Sequence, residues 1–265
     1  MTQAMQKFRH ILSKTPVRVP VMWMRHSTLR AGDVFIGSYP RSGSTWLRFI
    51  LHEILTGEPS RFENVNARLA FVGRHRNAPA LLPGGARLLQ THEPYRSEYR
   101  RAIYLVRDPR DVALSEYAFQ KARGWVEGEF QGYLEEFLRG EVNGFGSWQE
   151  HARSWLAASE ARPNDVRLYR YDELRKSTES SLESLLEFLN VRAESKKIAD
   201  AIAANSLQEM KKKEQASPQK VSKRDRFVRS GSVGGWRENL TDAQIELVNQ
   251  ALGAELRRLG YSETR

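Results

Sequence analysis

No cysteine occurs anywhere in the 265 residues. Disulfides and thiolate metal sites are therefore excluded, and the chain suits a reducing compartment such as the cytoplasm. No apolar run approaches the roughly 20 residues that span a bilayer, and the N-terminus carries no signal-peptide apolar core. We therefore expect no transmembrane segment. Internal repeats and low-complexity tracts are also missing. Acidic residues are fewer than basic ones, 32 Asp and Glu against 42 Lys and Arg, for a net charge of +10. That balance favours anionic partners but does not choose among nucleic acid, anionic lipid and a polyanionic cofactor. What the chain does have is aromatic bulk. Six Trp, nine Tyr and eleven Phe argue against disorder, and the length suits one large α/β domain or two small ones.

The most informative stretch is Gly37-Ser-Tyr-Pro-Arg-Ser-Gly-Ser-Thr-Trp46. It follows the apolar run Asp33 to Ile36, which reads as a buried strand. It precedes apolar residues at 47, 50, 51, 54 and 55, which is helical spacing. A small-residue loop between strand and helix gathers free backbone N–H groups and the positive end of the helix dipole at one spot, which is an anion site. Gly43 permits close approach of a phosphate, and Ser44 and Thr45 add hydroxyls. The loop is not a Walker A loop, because five residues separate the glycines and Ser44 stands where that motif has its Lys. Arg41 is the nearby cation.

Strands and helices alternate along the rest of the chain. Strands are predicted at 86–90, 102–107 and 165–171. Helices are predicted at 65–72, 110–121, within 144–158, at 180–189, and from a cap at Thr241 onward, with Leu247, Ala251 and Leu256 facing the core. Asp108 and Pro109 read as an N-cap and first helical position. Trp148 and Trp155, seven residues apart, share a helix face. Alternation of this kind implies a parallel sheet covered on both faces. The stretch from Met210 to Arg229 is polar and basic and reads as a mobile loop. Val17 to Met24 is apolar with Arg and Pro around it. It reads as a segment packed on the domain, with an interfacial membrane contact as the alternative.

The Gly37–Trp46 stretch resembles the 5′-phosphosulfate loop of sulfotransferases that use 3′-phosphoadenosine 5′-phosphosulfate (PAPS). Three further segments resemble that family in the same order. Tyr104-Leu-Val-Arg-Asp-Pro-Arg-Asp-Val-Ala-Leu-Ser115 is similar to the family's 3′-phosphate segment, which implies Arg107 and Ser115 as phosphate ligands. Arg229-Ser-Gly-Ser-Val-Gly-Gly-Trp236 is similar to a second 3′-phosphate grip and implies Arg229, Ser230 and Gly231, with Ser230 where the family has Lys. Leu89-Gln-Thr-His-Glu-Pro94 is similar to the segment that carries the family's catalytic base, here His92. Gln90 replaces a Lys there and Glu93 an apolar residue.

Adenine contacts are implied for Trp46, Tyr171, Asn205 and Leu207. Residues Arg41, Ser42, Gly43, Ser44 and Thr45 would hold the 5′ end of the cofactor, and Arg41 would stand in for the family's catalytic Lys. The resemblance implies a single P-loop-like α/β domain over residues 31–265, with residues 1–30 as an extension packed on it. It implies sulfuryl transfer from PAPS to a small-molecule hydroxyl or amine, with 3′,5′-bisphosphoadenosine (PAP) as product and no metal. The aromatics Tyr95, Tyr117, Phe119 and Trp125, the stretch from Gly57 to Gly85 and the basic loop before Arg229 would border the acceptor. Two rival readings follow from the residues alone. One is a P-loop kinase using ATP and Mg²⁺, and the other is a nucleic-acid-binding protein favoured by charge. The acceptor and the oligomeric state are not readable from the sequence.

Overall fold

Strand β1, Val34–Gly37, lies at the centre of a four-stranded sheet. A computed structural model describes residues 18–217 and 231–265. β1 pairs in parallel with β2 (Leu88–Thr91) on one side and β3 (Arg101–Val106) on the other. β3 in turn pairs in parallel with β4 (Val166–Arg170), so the spatial order is β2-β1-β3-β4. The predicted strands overlap these four, with ends shifted by one or two residues.

Alternation along the strands divides the core in two. Phe35, Leu89, Ala102 and Tyr104 point to one face. They pack against α4 (Pro109–Ala122), α5 (Phe130–Leu138), α6 (Trp148–Ala161) and α12 (Asp242–Arg258). Val34, Ile36, Leu88 and Ile103 point to the other face. They meet α2 (Ser44–Thr56), α3 (Phe62–Arg68), α7 (Tyr171–Lys176), α8 (Thr178–Phe188) and α9 (Ser195–Ala204). A parallel sheet with helices on both faces is the expected fold class. Trp148 and Trp155 are both fully buried on the inner side of α6.

Capping follows the sequence. The Asp108 carboxylate accepts from Arg110 N–H at 2.9 Å, and Pro109 opens α4. Thr241 and Gln244 close a reciprocal capping box at α12.

Four readings need correction. The stretch from Met210 onward is not a loop up to residue 216, because α10 runs from Leu207 to Ala216 with only Met210 and Glu214 buried. Two buried positions one turn apart leave almost no apolar periodicity to detect. The helix placed at 65–72 lies at Phe62–Arg68 instead. The buried Arg48 guanidinium donates to the carbonyls of Val65 and Leu69 and terminates that helix. On α12 the core face is Ile245, Val248, Leu252 and Leu256, while Ala251 is exposed and Leu247 is only half-buried. In the Val17–Met24 stretch, Val17 lies outside the described residues, and residues 18–26 form helix α1 (Arg18–His26), which buries Met22 but leaves Val19, Val21, Trp23 and Met24 exposed. Among the described residues no helix is long and apolar enough to cross a membrane.

Candidate active site

Four of the candidate segments leave the sheet at the carboxyl end of a strand. The phosphate-type loop follows β1, His92 follows β2, Arg107 follows β3 and Tyr171 follows β4. β1 feeds one neighbour on each side, so this edge is a topological switch point, where open α/β sheets open a crevice.

The loop after β1 is built for an anion. Arg41 (φ 67°) and Gly43 (φ 94°) both take left-handed backbone conformations two residues apart. Such alternation turns successive N–H groups toward one point. Helix α2 starts at Ser44 with no side-chain cap. Its first backbone bond runs from Leu47 N–H to the Gly43 carbonyl at 3.2 Å. The N–H groups of Ser44, Thr45 and Trp46 before it have no acceptor among the described residues. A Cβ at position 43 would lie 2.4 Å from the Tyr171 ring, so the position has room only for glycine.

Arg107 links three segments of the crevice. Its guanidinium donates to the Arg41 carbonyl at 3.0 Å and to the Ser232 carbonyl at 2.8 Å, and it stacks 4.9 Å from the centre of the Tyr171 ring. The Tyr171 hydroxyl donates to the Gly231 carbonyl at 3.1 Å. Arg41 Nε donates to Ser115 Oγ at 3.3 Å, and its guanidinium lies 4.5 Å from the Phe119 ring centre. Residues assigned by sequence to opposite ends of the cofactor thus meet directly. Trp46 donates from Nε1 to the Asn205 carbonyl at 2.9 Å and meets the Tyr171 ring edge-on at 6.3 Å. Leu207 is the first residue of α10, half-buried and two residues after Asn205. Arg229 and Ser230 lie outside the described residues.

His92 sits between two aromatic rings, Phe71 at 5.4 Å and Phe145 at 5.5 Å. Its Nδ1 is 2.7 Å from the Ser38 carbonyl. A carbonyl only accepts, so Nδ1 carries the proton of the neutral ring and Nε2 keeps its lone pair. Burial, with the Arg48 and Arg41 charges adding to it, outweighs the Ser38 bond and lowers the His92 pKa to about 4. The ring is therefore neutral near pH 7, with the basic nitrogen uncommitted.

Sequence reasoning missed several contributors. Asp111 accepts from Gly234 N–H at 2.9 Å and Trp236 N–H at 3.0 Å, which shapes the far side of the crevice. Ser38 orients His92, Phe145 walls it, and the buried Arg48 lies 4.7 Å from the Phe71 ring centre. Asp111 lies inside the segment already quoted, so its signal was available. Phe145 sits in a Gly-rich turn with no pattern to mark it. Lys213 was read as part of a loop, yet it donates to Glu53 at 2.9 Å, Ser60 at 2.7 Å and the Asn205 side chain at 2.8 Å. Of the aromatics expected at the acceptor, Tyr95 packs on Trp155 and Phe119 packs on Arg41 and Trp125. No metal-binding group of His, Asp or Glu is found among the described residues.

The pattern of the chain matches the sulfotransferase domain family over residues 31–260. Mouse sulfotransferase 2A1 is 32% identical over 232 residues, covering 81% of this chain and 80% of its own. Human sulfotransferase 2B1 is 30% identical over 251 residues, covering 86% and 67%. Among solved structures, mouse sulfotransferase SULT7A1 complexed with PAP superposes with a TM-score of 0.71 at 25% identity, covering 90% of this chain and 89% of its own. Retinol dehydratase in complex with androsterone and PAP shares the fold, at a TM-score of 0.73 and 18% identity over 91% and 85% of the two chains. The chain belongs to the sulfotransferase family, which decides against the kinase reading.

Proposed function

We propose that this member of the sulfotransferase family moves a sulfuryl group in line from PAPS to a hydroxyl or amine of a small-molecule acceptor, with His92 as general base. Residues 31–265 are taken as the catalytic domain, with 1–30 as an extension to it, in a cytoplasmic protein. The residues present fit the cofactor on three counts. Ser42 Oγ and Arg107 Nε are buried without a hydrogen-bond partner among the described residues. The helix α2 amides are unclaimed, and position 43 admits no side chain. PAP in the structure of mouse SULT7A1 supports the same identification.

When bound, PAPS supplies a sulfuryl group already activated by its phosphate leaving group. The amides of residues 43–46 and the hydroxyls of Ser42, Ser44 and Thr45 would hold the 5′ end, with Arg41 as the fixed cation there. Arg107, Ser115 and the loop at Gly231, with Arg229 and Ser230, would hold the 3′-phosphate. Trp46, Tyr171, Asn205 and Leu207 would enclose the adenine. His92 would accept the acceptor's proton at Nε2 while the Ser38 carbonyl holds Nδ1–H, which fixes the tautomer and steadies the imidazolium that forms.

The observation that carries this reading is the Nδ1–Ser38 bond, which leaves an unprotonated Nε2 at the same sheet edge as the free amides. The test is His92→Ala. Turnover with PAPS should be abolished, while PAP should still raise the unfolding temperature as it does for the parent. A ligand at 100 times its Kd adds about 2.7 kcal/mol of stability, which is easily measured. Near-normal turnover in His92→Ala would remove the base assignment. No stabilisation of the parent by PAP would remove the cofactor assignment.

A further inference from the structure

Five large hydrophobic side chains stand exposed among the described residues, and four of them lie on one helix of nine residues. They are Val19, Val21, Trp23 and Met24 of α1, with Trp23 72% and Val19 70% exposed. Pro20 is exposed with them. The helix is inside out relative to an ordinary surface helix, which turns its apolar stripe to the core. Its inner side carries the polar bonds. His26 bonds the Tyr99 hydroxyl at 2.7 Å, and Arg25 pairs with the buried Glu93 at 2.7 Å. These bonds fix the helix on the domain with its apolar side outward, so turning over to hide that side would break them.

The surroundings of the helix are basic. Residues 18–32 contain three Arg and no Asp or Glu. The loop against which Arg25 packs adds Arg74 and Arg76. Arg30, Arg74 and Arg76 are exposed and form no ion pair among the described residues. The nearby carboxylates are already matched: Asp33 by Arg87 at 2.6 Å, Glu93 by Arg25, and Glu98 by Arg96 at 2.9 Å. An apolar helical face with an interfacial Trp, rimmed by unpaired cations and lacking free carboxylates, has the chemistry of a surface that lies on an anionic bilayer.

We propose that α1 docks this protein peripherally on anionic membranes, with Val19, Trp23 and Met24 entering the headgroup region and Arg30, Arg74 and Arg76 meeting lipid phosphates. The docking does not depend on the sulfotransferase reaction and is measured without turnover. Because Arg25 ties α1 to Glu93, the residue after His92, the lipid surface would lie one ion pair from the crevice.

The test is co-sedimentation of the full chain with phosphatidylcholine vesicles and with vesicles in which a fraction of the lipid is phosphatidylserine. Binding should favour the anionic vesicles and weaken with salt. Each basic residue near such a surface is worth roughly a fivefold gain in partition. The triple substitution Val19→Ser, Trp23→Ser, Met24→Ser should lower binding at least tenfold. The pair Arg74→Glu, Arg76→Glu should lower it for anionic vesicles alone. Both variants should keep the parent unfolding temperature and its response to PAP, which shows that the domain is intact. Absence of binding to anionic vesicles would overturn the proposal, as would binding that the triple variant retains. Two other outcomes would also overturn it: a dimer in ultracentrifugation that the triple variant abolishes, so that a second copy covers the face, or vesicle binding seen only after deletion of residues 1–17.

Discussion

The protonation of His92 can be tested without knowing the acceptor. In the fold its pKa is lowered to about 4, with burial the main cause, against about 6.5 for a free imidazole. At pH 5.5 a group of pKa 4 is about 97% neutral, and one of pKa 6.5 is about 9% neutral. If His92 is the base, the fraction of competent enzyme at pH 5.5 therefore differs about tenfold between the two cases. The perturbation is pH itself, and the assay is ¹⁵N NMR of the imidazole between pH 4 and 8, with His92→Gln to assign the signal. The expected result is a ring that stays neutral down to pH 5, protonated at Nδ1. The pH profile of kcat/KM should then lack the usual histidine fall between pH 7 and 6. Stability moves in a fixed direction. The folded state binds fewer protons than the unfolded chain, so stability is full above pH 6.5 and falls as pH drops toward 4. His151, also lowered, to about 3 by burial, acts in the same sense. A ring titrating near 6.5, or one protonated at Nε2, would refute the reasoning that links the Ser38 bond to base catalysis.

Three further outcomes are expected. Gly43→Ala forces a side chain into the Tyr171 ring at a backbone angle that costs about 1–3 kcal/mol for a residue other than glycine. PAP binding should fall more than tenfold by calorimetry, and parent-like affinity would contradict the close-approach reading. Asp111→Ala removes the acceptor for two backbone N–H groups, and bonds of this charge-assisted kind are worth about 1.5–3 kcal/mol each. The variant should lose its preference for PAP over 5′-AMP while binding AMP as before, and an unchanged ratio would separate Asp111 from the 3′-phosphate loop. Lys213→Met strips Glu53 of its cation inside a largely buried cluster, where Ser60 and Lys213 bonds outweigh burial and hold the carboxyl below the usual range. A loss of about 3 kcal/mol in denaturant unfolding is expected, and a loss under 1 kcal/mol would mean that the cluster is solvated.

The sheet and the order of its segments were legible because each strand is a short apolar run that ends in residues of unusual type. Arg107, His92 and the Gly43 loop stand out for that reason. What the sequence concealed was pairing over distance. Arg41 meeting Ser115, Asp111 reaching Gly234, and Arg25 holding Glu93 join residues up to 123 positions apart, and no local pattern encodes such bonds. Helix α10 was concealed differently. Its buried positions include Glu214, and its neighbour Lys213 is three-way bonded, so residues that look solvated on paper are spent inside. Glu93 carries a related lesson. In the base segment it stands where the family has an apolar residue, and in the fold it anchors a helix of the N-terminal region.

The strand order also constrains how the protein comes to exist. β1 has no sheet partner until residues 88–91 and 101–104 have been made, and β4 follows some 60 residues later. Parallel pairing at such separations closes large loops before any contact rewards them, which slows folding. The crevice is later still, since Arg107 waits for the Ser232 carbonyl and Tyr171 for that of Gly231. A chain emerging during synthesis would hold a nearly finished sheet before it could grip both ends of a nucleotide. Ligand affinity therefore reports on completion of the whole molecule, and fragments ending before residue 231 should fold poorly as binders however intact their phosphate loop.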